Sequence, residues 1–173
     1  MKLLSSFSAI LAILWGGCTI NEKTDSIPSV SNFELSRYLG TWYEIARYPH
    51  SFEQGLENVS ATYSYLPNGK IRVINRGINR KGKERISEGV ALPAGSANSG
   101  ELKVSFFRPF YGAYRIIYLS PDYDLAIVTS STKEYLWILS RRKEISREER
   151  EFCLNKITHW GFDPEKLIWV DQN

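Results

Sequence analysis

At 173 residues, with 43% hydrophobic and 24% charged side chains, the chain is long enough for one domain with a substantial core and short for two. Its net charge of +3 arises from interspersed signs, and the one long charged run, SRRKEISREER at 140–150, mixes both. That pattern describes a solvated face and argues against nucleic acid as a partner.

The N-terminus carries Lys2, the apolar run LLSSFSAILAILW and then Gly16, Gly17 and Cys18. Roughly 13 apolar or small residues fall short of the about 20 that span a bilayer, so residues 1–17 read as a cleaved targeting segment. A cysteine directly after small residues resembles a bacterial lipoprotein signal with its lipobox, although Trp15 stands where Leu is usual. The resemblance implies cleavage before Cys18 and diacylation of its thiol. Thr19 in place of Asp implies sorting to the outer membrane, with the domain facing the periplasm. Two acyl chains give stable attachment. Cys153 is then the lone thiol, and the domain has no internal disulfide. Residues 18–32 are polar and aperiodic, so they read as the acylated cysteine and a flexible tether, with ordered structure beginning near Phe33.

Phe33, Leu35, Tyr38 and Leu39 fall at short helical spacings and end at Gly40, which predicts one turn of helix, placed as a plug ahead of the first strand. The stretch GTWYEIAR then alternates. As a strand it puts Trp42, Glu44, Ala46 and Tyr48 on one face and Tyr43, Ile45 and Arg47 on the other. Further short alternating segments succeed it: VSATYSY, a PNG turn, KIRVINRG, RISEGVAL, ELKVSFF, AYRIIYL, DLAIVTS and EYLWILSR. The period then changes. Ser146 and Glu149 have capping-box spacing, and Cys153, Ile157 and Trp160 form one apolar stripe ending at Gly161, so an amphipathic helix is predicted, with Cys153 as a core residue. KLIWVDQ at 166–172 reads as a short final strand. The predicted fold is all-β, an eight-stranded antiparallel up-and-down barrel with one C-terminal helix on its side, since closure removes exposed edges.

The motifs GTWYEIAR, SPDYDLAIV and LWILSRR, in that order, resemble the three signatures of the lipocalins across residues 33–173. GTWYEIAR, KVSFFRPFYGAYRII and YLWILSR are similar to the bacterial outer-membrane lipoprotein lipocalins akin to apolipoprotein D. The resemblance implies a closed barrel floor built from Gly40, Trp42 and Arg141, the arginine lying across the indole. If Arg141 reaches inward, so do Leu139, Trp137 and Tyr135. If Trp42 does, so do Glu44, Ala46 and Tyr48. On the ELKVSFF strand, Leu102, Val104 and Phe106 are the apolar set expected to line the cavity. A buried Glu44 must meet Arg or Tyr groups or water.

No cluster of cysteine and histidine has metal spacing, no glycine-rich loop precedes a helix, and no nucleophile elbow is present. No catalytic residue, metal or cofactor is expected. The resemblance implies that the barrel binds, stores or transports a hydrophobic ligand, a fatty acid or lysophospholipid, with the loops RYPHSFEQGLEN and FRPFYGAY at its mouth. A lipocalin-fold enzyme would need an inward acid–base pair, and Glu44 is the one inward carboxylate that parity places. A structural envelope protein would have a barrel filled by side chains. The sequence leaves a homodimer open.

Overall fold

The computed structural model describes residues 22–173; the targeting segment and Cys18 lie outside the described residues. Eight alternating segments pair as consecutive antiparallel neighbours: β1 (Gly40–Arg47), β2 (Leu56–Tyr65), β3 (Ile71–Asn79), β4 (Glu84–Pro93), β5 (Glu101–Phe107), β6 (Phe110–Leu119), β7 (Leu125–Thr129) and β8 (Leu136–Ser140). β1 pairs with β8 on one side and β2 on the other, which closes the barrel. The β1–β2, β3–β4, β5–β6 and β7–β8 connections share the open end. The helical turn α1 (Leu35–Tyr38) lies at the closed end and buries Tyr38.

Two apolar layers hold this architecture. Inside the lower barrel, Phe33, Tyr38, Trp42, Tyr63, Ile71 and Val73 form one cluster with their neighbours. Outside, helix α2 (Arg147–His159) lays Cys153 and Ile157 against Ile45, Ile138 and other residues of the barrel wall. Its start is fixed by the expected capping box, in which Ser146 Oγ accepts from Glu149 N–H and the Glu149 carboxylate accepts from Ser146 N–H. The final strand is shorter than predicted. A 3₁₀ turn at Pro164–Lys166 leaves only β9 (Ile168–Trp169), which pairs with Ala46 and Arg47. Beyond it, the Gln172 side chain donates to Glu44 O at 2.8 Å and Val59 O at 2.9 Å, joining β1 to β2 where their own ladder has ended.

Two expectations are corrected. The pairing of β1 with β8 slips between Glu44↔Leu139 and Ala46↔Ile138, and a bulge of this kind reverses the alternation beyond it. Trp42 and Glu44 face inward as expected. Ala46 and Tyr48 instead join the outer cluster under α2, while Arg47 turns inward to Glu44. The Tyr48 hydroxyl donates to Asp163 O at 2.9 Å and accepts from Asp163 N at 2.6 Å. Tyr48→Phe should therefore cost about 1–2 kcal/mol in urea unfolding and leave the affinity for any cavity ligand unchanged.

Order also begins before Phe33. Lys23 bridges to Thr132, Thr24 and Ile27 are buried, and Arg115 donates to Thr24 O at 2.6 Å and Ile27 O at 2.7 Å. Residues 22–32 are packed on the barrel and are not a free tether. Their carbonyls are partly held by a side chain from β6, a pairing that leaves no periodicity in the segment itself.

Candidate functional site

Above the floor the barrel encloses a cavity of about 1010 Å³, open toward the β1–β2 and β7–β8 connections. A barrel filled by side chains does not describe this interior. Parity on β8 holds: Tyr135, Trp137 and Leu139 line the cavity, as do Val104 and Phe106 from β5 and Glu44 from β1. Trp137 precedes Arg141 by four residues, which sets it about 13 Å along the strand from the floor contact. Residues that the sequence did not single out complete the wall, among them Val59, Tyr63, Val73 and Tyr114.

The floor is built as a stack. The Arg141 guanidinium lies 4.1 Å from the centre of the Trp42 ring, and it donates to the carbonyls of Arg37, Tyr38, Leu39, Thr41 and Tyr123. One guanidinium thereby ties α1 to β1 and to the β6–β7 connection. Gly40 is required here: its φ is +95°, and a Cβ would stand 3.2 Å from Arg141 Nη1. Trp42 Nε1 donates to Tyr38 O at 2.8 Å. Above the indole, the hydroxyls of Tyr38 and Tyr63 meet that of Tyr114 at 2.7 and 3.0 Å, and burial pushes the Tyr63 hydroxyl up to about 12. These phenols stay neutral and present the cavity with a bonded polar base.

Near the mouth lies a charged cluster only half legible in the sequence. Glu44 Oε1 is 2.6 Å from Arg47 Nη1, both side chains being buried. Arg47 Nη2 donates to the carbonyls of Glu53 and Leu56, tying the β1–β2 loop to the strand. Glu53, in the 3₁₀ turn Ser51–Glu53, is a second inward carboxylate, so Glu44 is not alone. Trp137 Nε1 donates to Glu53 Oε2 at 3.4 Å. His50 Nε2 lies 2.9 Å from the same oxygen, and its ring stacks on Phe52. Burial, then the charge of Glu53, holds Glu44 well above the usual carboxylate range against the pull of Arg47. Burial would raise Glu53 too, but His50, Trp137 and Glu44 outweigh it and hold Glu53 below that range. The two acids thus titrate as a pair, with Glu44 the weaker of them. Strand parity stops at Pro49 and could not place Glu53 or His50. The inward turn of Arg47 was hidden by the bulge.

Likeness to known proteins agrees with this geometry. Residues 33–172 match the lipocalin-like domain family. The chain is a lipocalin. It is 46% identical over 166 residues to the outer membrane lipoprotein Blc of Escherichia coli K12, covering 95% of this chain and 94% of that protein. Apolipoprotein D of Macaca fascicularis is 32% identical over 184 residues, covering 99% and 96%. Among solved structures, insecticyanin from the tobacco hornworm Manduca sexta superposes with a TM-score of 0.68 at 24% identity, over 84% of each chain, a likeness of fold. Among the described residues of this lipocalin, no helix is long and apolar enough to cross a membrane.

Proposed function

We propose that this lipocalin binds a single-chain lipid, a fatty acid or lysophospholipid, in its barrel while held at the outer membrane by acylated Cys18 and facing the periplasm. The observation that carries the reading is the cavity of about 1010 Å³ between a phenolic floor and a charged mouth. Its size lies at the top of the range for small-molecule sites, and its wall is aromatic and aliphatic. Burial of an acyl chain contributes about 0.8 kcal/mol per methylene, so some fifteen methylenes supply roughly 12 kcal/mol before the costs of association. Asn75 Oδ1, buried in the wall without a partner, and the Glu44–Arg47–Glu53 cluster offer polar contacts to a headgroup. The names of the relatives support the membrane attachment. The two carboxylates are engaged with Arg47, His50 and Trp137, which supports binding over catalysis.

Titration with palmitate and with lysophosphatidylethanolamine tests the reading. Both should shift Trp137 fluorescence in a background whose other tryptophans are replaced by phenylalanine. Val104→Trp, which fills the cavity, should weaken binding at least about tenfold, a loss of roughly 1.4 kcal/mol. Ile138→Val, on the opposite face of β8, should leave affinity unchanged. Saturating lipid without a signal, or equal effects at positions 104 and 138, would place the ligand elsewhere.

A further inference from the structure

Most of the exposed large apolar side chains of the barrel gather at its open end, with Tyr65 the exception at the closed end. On the β5–β6 hairpin, Phe107 and Phe110 are 76% and 71% exposed, their rings parallel with centroids 6.5 Å apart, and Phe106 and Tyr111 flank them. On the neighbouring β3–β4 hairpin, Ile78 and Ile86 are exposed as well. Cations are interleaved with these groups: Arg80, Lys81, Lys83 and Arg85 on one hairpin and Arg108 at the tip of the other. The two acids on the β3–β4 hairpin, Glu84 and Glu88, are paired with Arg76 and Arg72. A contiguous apolar rim in water marks an interaction surface. Aromatics mixed with uncompensated lysine and arginine suit the boundary between acyl chains and anionic headgroups.

The path of the chain points the same way. Glu22 O accepts from Lys133 N at 2.8 Å, the Glu22 carboxylate is 2.7 Å from Lys133 Nζ, and Lys23 is bridged to Thr132. Lys133 and Thr132 belong to the β7–β8 connection, whose residues Ser130–Thr132 line the cavity mouth. Cys18 precedes Glu22 by four residues, so even a fully extended chain separates them by no more than about 14 Å. A tether free up to Phe33 would have left the orientation of the barrel open. Packing from Glu22 onward brings the anchor to the end that carries the aromatic and basic collar.

We infer that the open end of the barrel docks on an anionic bilayer surface, the β3–β4 and β5–β6 hairpins forming the contact. Ligand then passes between leaflet and cavity without crossing bulk water. The docking uses the proposed acyl anchor for orientation, while the collar is a separate observation, and the test separates docking from ligand binding.

The test uses protein purified from expressing cells, carrying Phe107→Cys at the collar or Asn68→Cys at the closed end, each labelled with an environment-sensitive fluorophore. Cys153 is buried with its thiol pushed up to about 12, so it is protected from labelling, and the parent protein sets the background. With vesicles of phosphatidylethanolamine and phosphatidylglycerol bearing brominated acyl chains, the probe at position 107 should shift to the blue and be quenched. The probe at position 68 should do neither. Lys81→Glu with Lys83→Glu should lower vesicle partitioning at least about tenfold and leave lysophospholipid affinity in solution unchanged. Quenching at position 68, no quenching at 107, partitioning indifferent to phosphatidylglycerol, or burial of the collar in a vesicle-independent dimer would each overturn the inference. Quenching at 107 in a protein that binds no lipid in its cavity would leave docking intact and remove the binding reading.

Discussion

Replacing Trp42 with alanine should destabilise the barrel by about 3–5 kcal/mol, the range for emptying a buried aromatic site. Trp42 is fully buried, packed against Tyr38 at 4.7 Å between ring centres, and covered by Arg141. Arg141→Ala should cost about 2–4 kcal/mol, because it removes a cation–π contact and leaves five carbonyl acceptors short of a charged donor. The double variant should lose less than the sum by about 1–2 kcal/mol, the energy the two side chains share. Urea unfolding of the three variants measures this. Additive losses would show that the guanidinium acts through the carbonyls alone.

Arg47→Met should cost about 3–5 kcal/mol near pH 8, since it strands the Glu44 carboxylate in the barrel wall without its partner. The loss should shrink as the pH falls and Glu44 takes up a proton, and Glu44→Gln in the same background should recover most of it. The wild-type protein carries the same linkage. Glu44 titrates above the ordinary glutamate value of about 4.3, so the folded state holds a proton that the unfolded chain has released. Its burial is therefore harmless below about pH 4.3 and increasingly destabilising as the pH rises through its folded range. Glu53 has the opposite sign: held low, it contributes stability above about pH 4.3 that is lost as the pH falls through its folded value. Glu44→Gln should thus gain on the wild type with rising pH, and Glu53→Gln should lose. Stability curves for both variants from about pH 3 to about 9, which reach below and above the ordinary carboxylate value, check both signs.

Much of this protein was written in local pattern. Period-2 alternation marked eight strands to within a few residues, because each strand has one face on the cavity or core and the other on solvent or α2. Ser146 and Glu149 announced the helix through a reciprocal cap that needs no tertiary partner. Parity counted back from Arg141 reached Leu139, Trp137 and Tyr135 correctly, since β8 pairs with β7 without a slip.

Parity failed where the ladder did. One slipped residue between Glu44 and Ala46 moved Tyr48 from the cavity to the helix interface and brought Arg47 in beside Glu44. No local signal marks such a bulge, because Ile45, Ala46 and Tyr48 are apolar enough for either face and the choice is made by β8, β9 and Gln172 on the neighbouring chain segments. Glu53 and His50 entered the site from a loop, where neither period applies, and the segment from Glu22 to Asn32 gained its order from Arg115, distant in sequence. The sequence by itself determined the elements, their order and the stacked floor, all of which rest on side-chain alternation, capping and a recognisable set of motifs. Only the tertiary structure decided which carboxylates meet in the cavity wall, which tyrosine serves the cavity, and which end of the barrel carries the N-terminal segment, because each depends on contacts that side-chain alternation does not encode.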